Sequence, residues 1–223
     1  MQSKTYSTEI GGKTLTAEFS DLADQTSGSC ILRYGNTVVL ATAVMGKDRM
    51  DGQAWFPLTV DYEEKHYAAG AILGSRFQRR EGRPSDEAVL SGRVVDRTIR
   101  PLFDHRIRNA IQVIITVLSI DKEDPDVLAV NAASLALATS DIPWNGPVSA
   151  VRIGKRNDNG TVINPTYEDR DHSEYHYDVL ACGKDGLINM IEVGAQEAGD
   201  DEVNEALKLA SDEIEKIQEF QKR

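Results

Sequence analysis

Asp124-Pro125-Asp126-Val127-Leu128-Ala129-Val130-Asn131-Ala132-Ala133-Ser134-Leu135-Ala136-Leu137-Ala138-Thr139 is the stretch on which the fold turns. Aspartate caps a helix well, and proline suits the first helical position, where its missing N–H is not needed. Residues 126–139 then carry Ala, Leu or Val on nearly every side. A helix that is apolar all round is a buried helix, so other elements must cover it. Just before it, residues 111–120 read as a buried strand. After a turn at 143–147 come four strand-like runs, 148–156, 161–164, 175–182 and 187–193, with turns at 157–160 and 184–186.

Further out, Gly11-Gly12 joins residues 6–10 to 13–19, where Leu15, Ala17 and Phe19 alternate with polar neighbours as in a half-buried strand. Gly35-Asn36 turns residues 29–34 into 37–45, residues 46–53 form a polar loop, and 55–64 is a further strand. Residues 68–84 form an unusually long loop punctuated by Gly70, Gly74, Gly82 and Pro84; loops of that length are commonly functional. Ser85 caps a helix that runs to about Ile99, with Asp86 and Glu87 at the positive end of its dipole. The last helix, residues 200–222, has Val203, Leu207, Ala210, Ile214, Ile217 and Phe220 on one stripe. Strands, helix, strand, helix, strands, helix in that order is an α+β fold with a mixed sheet packed against helices. No internal repeat, low-complexity tract or strong linker divides the chain, so residues 1–223 are expected to form one domain.

Composition narrows the function. Of 223 residues, 40% are hydrophobic and 27% charged, which excludes a disordered chain. Lys plus Arg is 25 against 36 Asp plus Glu, a net charge of −11, so any contact with nucleic acid comes from a local basic patch. Cys30 and Cys182 do not make a disulfide framework or a metal site and suit a reducing cytosol. The first residues carry no apolar signal core, and no run reaches the ~20 apolar residues of a membrane span. The expectation is a cytoplasmic protein without a membrane partner.

One segment opposes the overall charge. Residues 76–108 hold nine arginines, no lysine and five acids, a local charge of +4. Guanidinium groups grip two oxygens at once, so arginines without lysines favour phosphate. The competing reading ties these arginines into ion pairs with the chain's many acids. Arg93, Arg97 and Arg100 fall on one helical face, with Leu90, Val94, Val95, Ile99 and Leu102 expected on the other. Arg97 beside Asp96 is expected to be structural and Arg93 to face phosphate. Phe77-Gln78-Arg79-Arg80 sets an aromatic beside cations, the combination that holds single-stranded nucleic acid. His172 and His176 lack a third metal ligand, and neither a Gly-rich phosphate loop nor a nucleophile elbow is found.

Phe77-Gln78-Arg79-Arg80-Glu81-Gly82-Arg83-Pro84-Ser85, with Asp96-Arg97-Thr98-Ile99-Arg100-Pro101-Leu102-Phe103, resembles the first core domain of the bacterial polynucleotide phosphorylase family. Arg33-Tyr34-Gly35-Asn36-Thr37-Val38-Val39-Leu40-Ala41-Thr42 and Ile142-Pro143-Trp144-Asn145-Gly146-Pro147 agree. The resemblance implies the ribonuclease PH fold, an α+β domain, and a phosphorolytic 3′-to-5′ exoribonuclease that degrades mRNA. Inorganic phosphate would be its co-substrate, magnesium its metal and a homotrimeric ring its assembly, with RNA degradosome components as further partners and no DNA. Phe77, Gln78, Arg79 and Arg80 correspond to a loop that grips single-stranded RNA, with Gln78 where the family often has a second aromatic. Arg93, Arg97 and Arg100 are the expected phosphate sites. Asn131-Ala132-Ala133-Ser134 lacks the hydroxyl cluster that binds phosphate in the family's second core, and no Asp-rich run resembles its metal pair. No catalytic or metal residue is therefore assigned here. The chain is expected to be a first core that leads toward a helical linker and is inactive alone; the alternative is a non-catalytic RNA-binding ring subunit of an exosome-like assembly.

Overall fold

A computed structural model describes residues 3–72, 82–157, 160–171 and 175–223. Ten strands are described: β1 Ser3–Ile10, β2 Lys13–Ser20, β3 Gly28–Tyr34, β4 Thr37–Arg49, β5 Leu58–Glu64, β6 Asn109–Ser119, β7 Ser149–Arg156, β8 Thr161–Ile163, β9 Tyr175–Lys184 and β10 Leu187–Ala195. The helices are α1 Asp86–Ile99, α2 Pro125–Ala138, α3 Tyr167–Asp171 and α4 Asp200–Gln221. The strands divide between two sheets, ordered β1-β2-β3-β4-β6-β5 and β10-β9-β7-β8. The first is mixed, because β5 pairs parallel with β6 while its other pairings are antiparallel. The second is antiparallel throughout.

The helix α2 is covered as its composition requires. Twelve of its fourteen residues are buried, from Pro125 and Val127 through Leu137. Asp124 caps it, its side chain accepting the Asp126 N–H at 2.9 Å. Gly28 in β3 lets α2 approach: a Cβ there would lie 2.1 Å from the Ala136 carbonyl oxygen. Asn131 and Ser134 fasten the helix to the second sheet. The Asn131 amide donates to Val127 O and Ala150 O and accepts from the Ala150 N–H, while Ser134 Oγ accepts from the Val148 N–H. Gln221 of α4 closes this network on Ser134, Val148 and Ser149. One core cluster thus takes in Ala150, Leu180 and Cys182 of the second sheet and Ile217 and Phe220 of α4, together with β2, β3, β4 and β6.

Several boundaries differ from those the sequence suggests. Residues 55–57 stand outside the strand expected there; β5 starts at Leu58, because Pro57 has no N–H to donate and offers only its carbonyl, to Ile111 N at 2.9 Å. The fourth strand runs on to Arg49, its register shifting after Met45 while Asn109 Nδ2 donates to Gly46 O and Lys47 O. The helix α3 has five residues, too few to show a period, and is held by Asp169 accepting from Thr166 N–H and Oγ1.

Candidate nucleic-acid interface

Ser85 starts α1 as expected, its Oγ accepting the Ala88 N–H at 3.1 Å. Ala88, Ser91, Gly92, Val94, Val95, Thr98 and Ile99 turn inward. Gly92 lies against β5, where an added Cβ would sit 3.4 Å from Tyr62 Cβ. The outer face carries Arg93 and Arg97, with Arg83 ahead of the helix, all exposed. None of these three makes a hydrogen bond or ion pair among the described residues. Leu90, expected on the apolar side, is 66% exposed and lies on the arginine face at the i and i+3 spacing.

Arg100 behaves differently. Its Nε donates to Asp96 Oδ2 at 3.0 Å, Nη2 to Leu58 O at 3.0 Å and Nη1 to Phe56 O at 3.4 Å, and its guanidinium lies 5.9 Å from the Phe56 ring centre. Asp96 therefore pairs with Arg100 and not with Arg97. Residues four apart stack along a helix, whereas neighbours diverge by about 100°, and this sets the structural arginine at 100. Arg106 is also tied, through Nε to Asp104 Oδ1 at 3.0 Å and Nη2 to Asp104 Oδ2 at 2.7 Å. Those hydrogen bonds hold the Asp104 carboxyl down at about 2. Arg108 donates to His105 O and Ile107 O. The ion-pair reading thus holds for Arg100 and Arg106, while Arg83, Arg93 and Arg97 are exposed and have no ion-pair partner among the described residues. A cleft of about 340 Å³ between α1 and β5 includes Arg93, Asp96, Arg100, Val60 and Tyr62 in its lining. Phe77, Gln78, Arg79 and Arg80 lie outside the described residues.

Asn131, Ser134, Asp185 and His176, the other candidates among the described residues, are all engaged. Asn131 and Ser134 hold α2 in place. Asp185, in the β9–β10 turn at φ +51°, faces Lys184 at 3.6 Å and Lys222 at 3.3 Å. His176 meets Glu202 at 3.1 Å, which Lys155 also binds, and these bonds hold the Glu202 carboxyl at about 2. Among the described residues no group of three or more His, Cys, Asp or Glu is arranged to hold a metal ion.

A charge cluster that the sequence did not reveal joins the start of α2 to the second sheet. Arg152 of β7 meets Asp124 at 2.7 Å and Asp178 of β9 at 2.8 Å, and Arg170 of α3 meets Asp124 at 3.0 Å. Nearby Asp126 has its carboxyl raised to about 6, by burial first and by the Asp124 charge second. These residues are spread over more than fifty positions, so no motif spacing could have joined them.

The chain matches the family described as "3′ exoribonuclease family, domain 1" over residues 11–143, and "3′ exoribonuclease family, domain 2" over 146–213. A polyribonucleotide nucleotidyltransferase of Syntrophomonas wolfei is 46% identical over 219 residues, covering 98% of this chain and 31% of that protein. One of Thermomicrobium roseum is 50% identical over 212 residues, covering 95% and 26%. The chain therefore spans about a third or less of the length of these relatives. A crystal structure of rice Rrp46 shares the fold at a TM-score of 0.73 with 12% identity, covering 99% of this chain and 93% of that one. The two matches together take in α1, α2 and nearly all of both sheets, and the chain belongs to the 3′ exoribonuclease, or RNase PH, family.

Proposed function

We propose that the chain serves as the first core of a phosphorolytic 3′-to-5′ exoribonuclease of the polyribonucleotide nucleotidyltransferase type, as one domain over residues 1–223. In this role it holds single-stranded RNA and supplies ring surface, and it carries out no bond cleavage itself. The observation that carries the reading is the pair of exposed guanidiniums of Arg93 and Arg97 on α1, unpartnered among the described residues, in a chain of net charge −11. Uncompensated cations on one face suit a polyanion. Arg93 and Arg97 bind backbone phosphate, or inorganic phosphate as the smallest form of the same chemistry. Arg100, neutralised by Asp96, fixes the helix end that aims them. The proposal extends to Phe77, Gln78, Arg79 and Arg80 as further RNA contacts.

Among the described residues no group of three or more His, Cys, Asp or Glu is arranged to hold magnesium. The Asp178 carboxylate faces Arg152 and Arg170, and Asp185 faces two lysines, so these two acids already have their cations. We assign magnesium to the portion of the longer relatives that this chain does not span. A homotrimeric ring, contacts with degradosome components and a cytoplasmic location belong to the same proposal. No helix among the described residues is long and apolar enough to cross a membrane.

The test incubates the chain with single-stranded RNA, phosphate and magnesium. Retention of RNA without release of nucleoside diphosphates is the expected result. Release of diphosphates by a clean preparation contradicts the assignment of chemistry elsewhere, and absence of RNA retention contradicts the proposal as a whole.

A further inference from the structure

Trp55 is 67% exposed, more than Tyr67 at 58% or Tyr6 at 43%. It makes no hydrogen bond and no ring contact among the described residues. Next to it Phe56 is buried and carries His105 stacked on its ring, with centroids 5.5 Å apart and planes 7° from parallel. The backbone around it is fixed: Met50 N–H donates to Arg108 O at 2.8 Å, Gln53 N–H to Met50 O at 3.2 Å and Ile111 N–H to Pro57 O at 2.9 Å. Trp55 therefore stands on a braced loop. Arg49 and Arg106 are 66% and 90% exposed at their side chains and are paired with Asp51, 72% exposed, and Asp104, 48% exposed. Water-exposed pairs of this kind hold weakly, so a phosphate can replace the carboxylate.

The position of Trp55 relative to α1 gives it a meaning. Helix and strand run antiparallel, because Gly92 lies against Tyr62 and Val60 while Arg100 reaches Leu58 and Phe56. Moving along α1 from Arg93 through Arg97 to Arg100, ~10 Å of helix, leads to the end of β5 where Trp55 begins the approach. Two free cations, Arg93 and Arg97, followed by the tied Arg100, thus lead toward an exposed indole. Arginine for the backbone and an aromatic ring for a base is the combination that binds single strands without reading sequence.

We infer that Trp55 is a stacking platform for a base of single-stranded RNA whose phosphates follow Arg93 and Arg97. The inference rests on the reading of α1 as an RNA-holding helix and adds to it a contact residue at the opposite end of the sheet from residue 72. That separation follows from the parallel β5–β6 register, in which Leu58 faces Ile111, and from Ile120 N–H donating to Ala68 O beyond the far end of both strands.

The experiment titrates an oligouridylate of about 16 nucleotides into the chain and into Trp55→Phe and Trp55→Ala, at several salt concentrations, reading tryptophan emission and affinity. Trp144 donates its Nε1–H to Ile99 O at 3.3 Å and lies against Phe103, so it serves as an internal reference. RNA is expected to quench the wild-type emission and to leave that of Trp55→Phe nearly unchanged. Trp55→Ala should bind roughly 5- to 150-fold more weakly with the same salt slope, and Trp55→Phe should retain most of the affinity. Salt-dependent RNA binding with unquenched emission and unaltered Trp55→Ala affinity overturns this inference and leaves the RNA reading standing. A change of oligomeric state in Trp55→Ala by size exclusion overturns it in favour of a contact between copies. No salt-dependent binding by the wild type overturns both.

Discussion

Arg93 and Arg97 owe their freedom to helical geometry: the nearest acid on α1, Asp96, is one turn from Arg100 and engages it. The two classes of arginine should separate in the laboratory. Arg100→Ala removes an ion pair, two bonds to backbone carbonyls and a ring contact, and is expected to lower unfolding free energy by about 1–2 kcal/mol, since one third of the side chain is exposed. Arg93→Ala and Arg97→Ala should stay within about 0.5 kcal/mol of wild type in urea unfolding. Equal losses for all three would show that the outer arginines also hold the fold. A second residue-level test concerns Asp126, whose folded-state carboxyl sits above the ordinary range of ~3.9. The folded state then binds its proton more tightly, so stability from this group is present at low pH and is lost as pH rises through about 6. Asp126→Asn should gain on wild type by on the order of 2 kcal/mol between pH 4 and pH 8, measured as the difference in unfolding free energy. A constant difference across that range would mean that the carboxyl is not desolvated.

At the scale of elements, α2, α4 and the four hairpin pairings at Gly11-Gly12, Gly35-Asn36, 157–160 and 184–186 are legible in the sequence, whereas the partnerships between strands not joined by a tight turn are not. A cap, a first-turn proline and apolar residues all round define α2 locally, and the period of the apolar stripe does the same for α4. The division into two sheets depends on which strand meets which, and alternation within a strand says nothing of its neighbour. The same reason hid the Asp124, Arg152, Arg170 and Asp178 cluster, since its members come from the cap of α2 and from β7, α3 and β9. Residues 55–64 read as one strand, but β5 starts at Leu58, because Pro57 lacks a donor, and Trp55 stands outside it. The close seat of α2 on β3 offers a test. Gly28→Ala places a methyl group 2.1 Å from the Ala136 carbonyl oxygen, and the displacement should cost about 1–3 kcal/mol or more, read from the denaturant midpoint. A variant as stable as wild type would contradict that packing.

At the scale of the molecule, charge is segregated. A net charge of −11 disfavours polyanions in general, so under the proposed function the arginines of residues 82–108 would act as a local address. Half of those that the structure describes are neutralised by their own chain or bound to backbone carbonyls, and Arg83, Arg93 and Arg97 have no partner among the described residues. The resemblance in the sequence pointed to the family and to an RNA substrate; which arginines remain available could come only from side-chain geometry. The most direct measurement is the salt dependence of single-stranded RNA affinity for the wild type and for the Arg93→Ala, Arg97→Ala double variant. Each phosphate contact on a single strand contributes about 0.7 to the slope of log affinity against log salt. The double variant should bind more weakly with a slope lower by about 1.4, at unchanged stability. A slope and affinity equal to those of the wild type would contradict the claim that these two guanidiniums hold RNA.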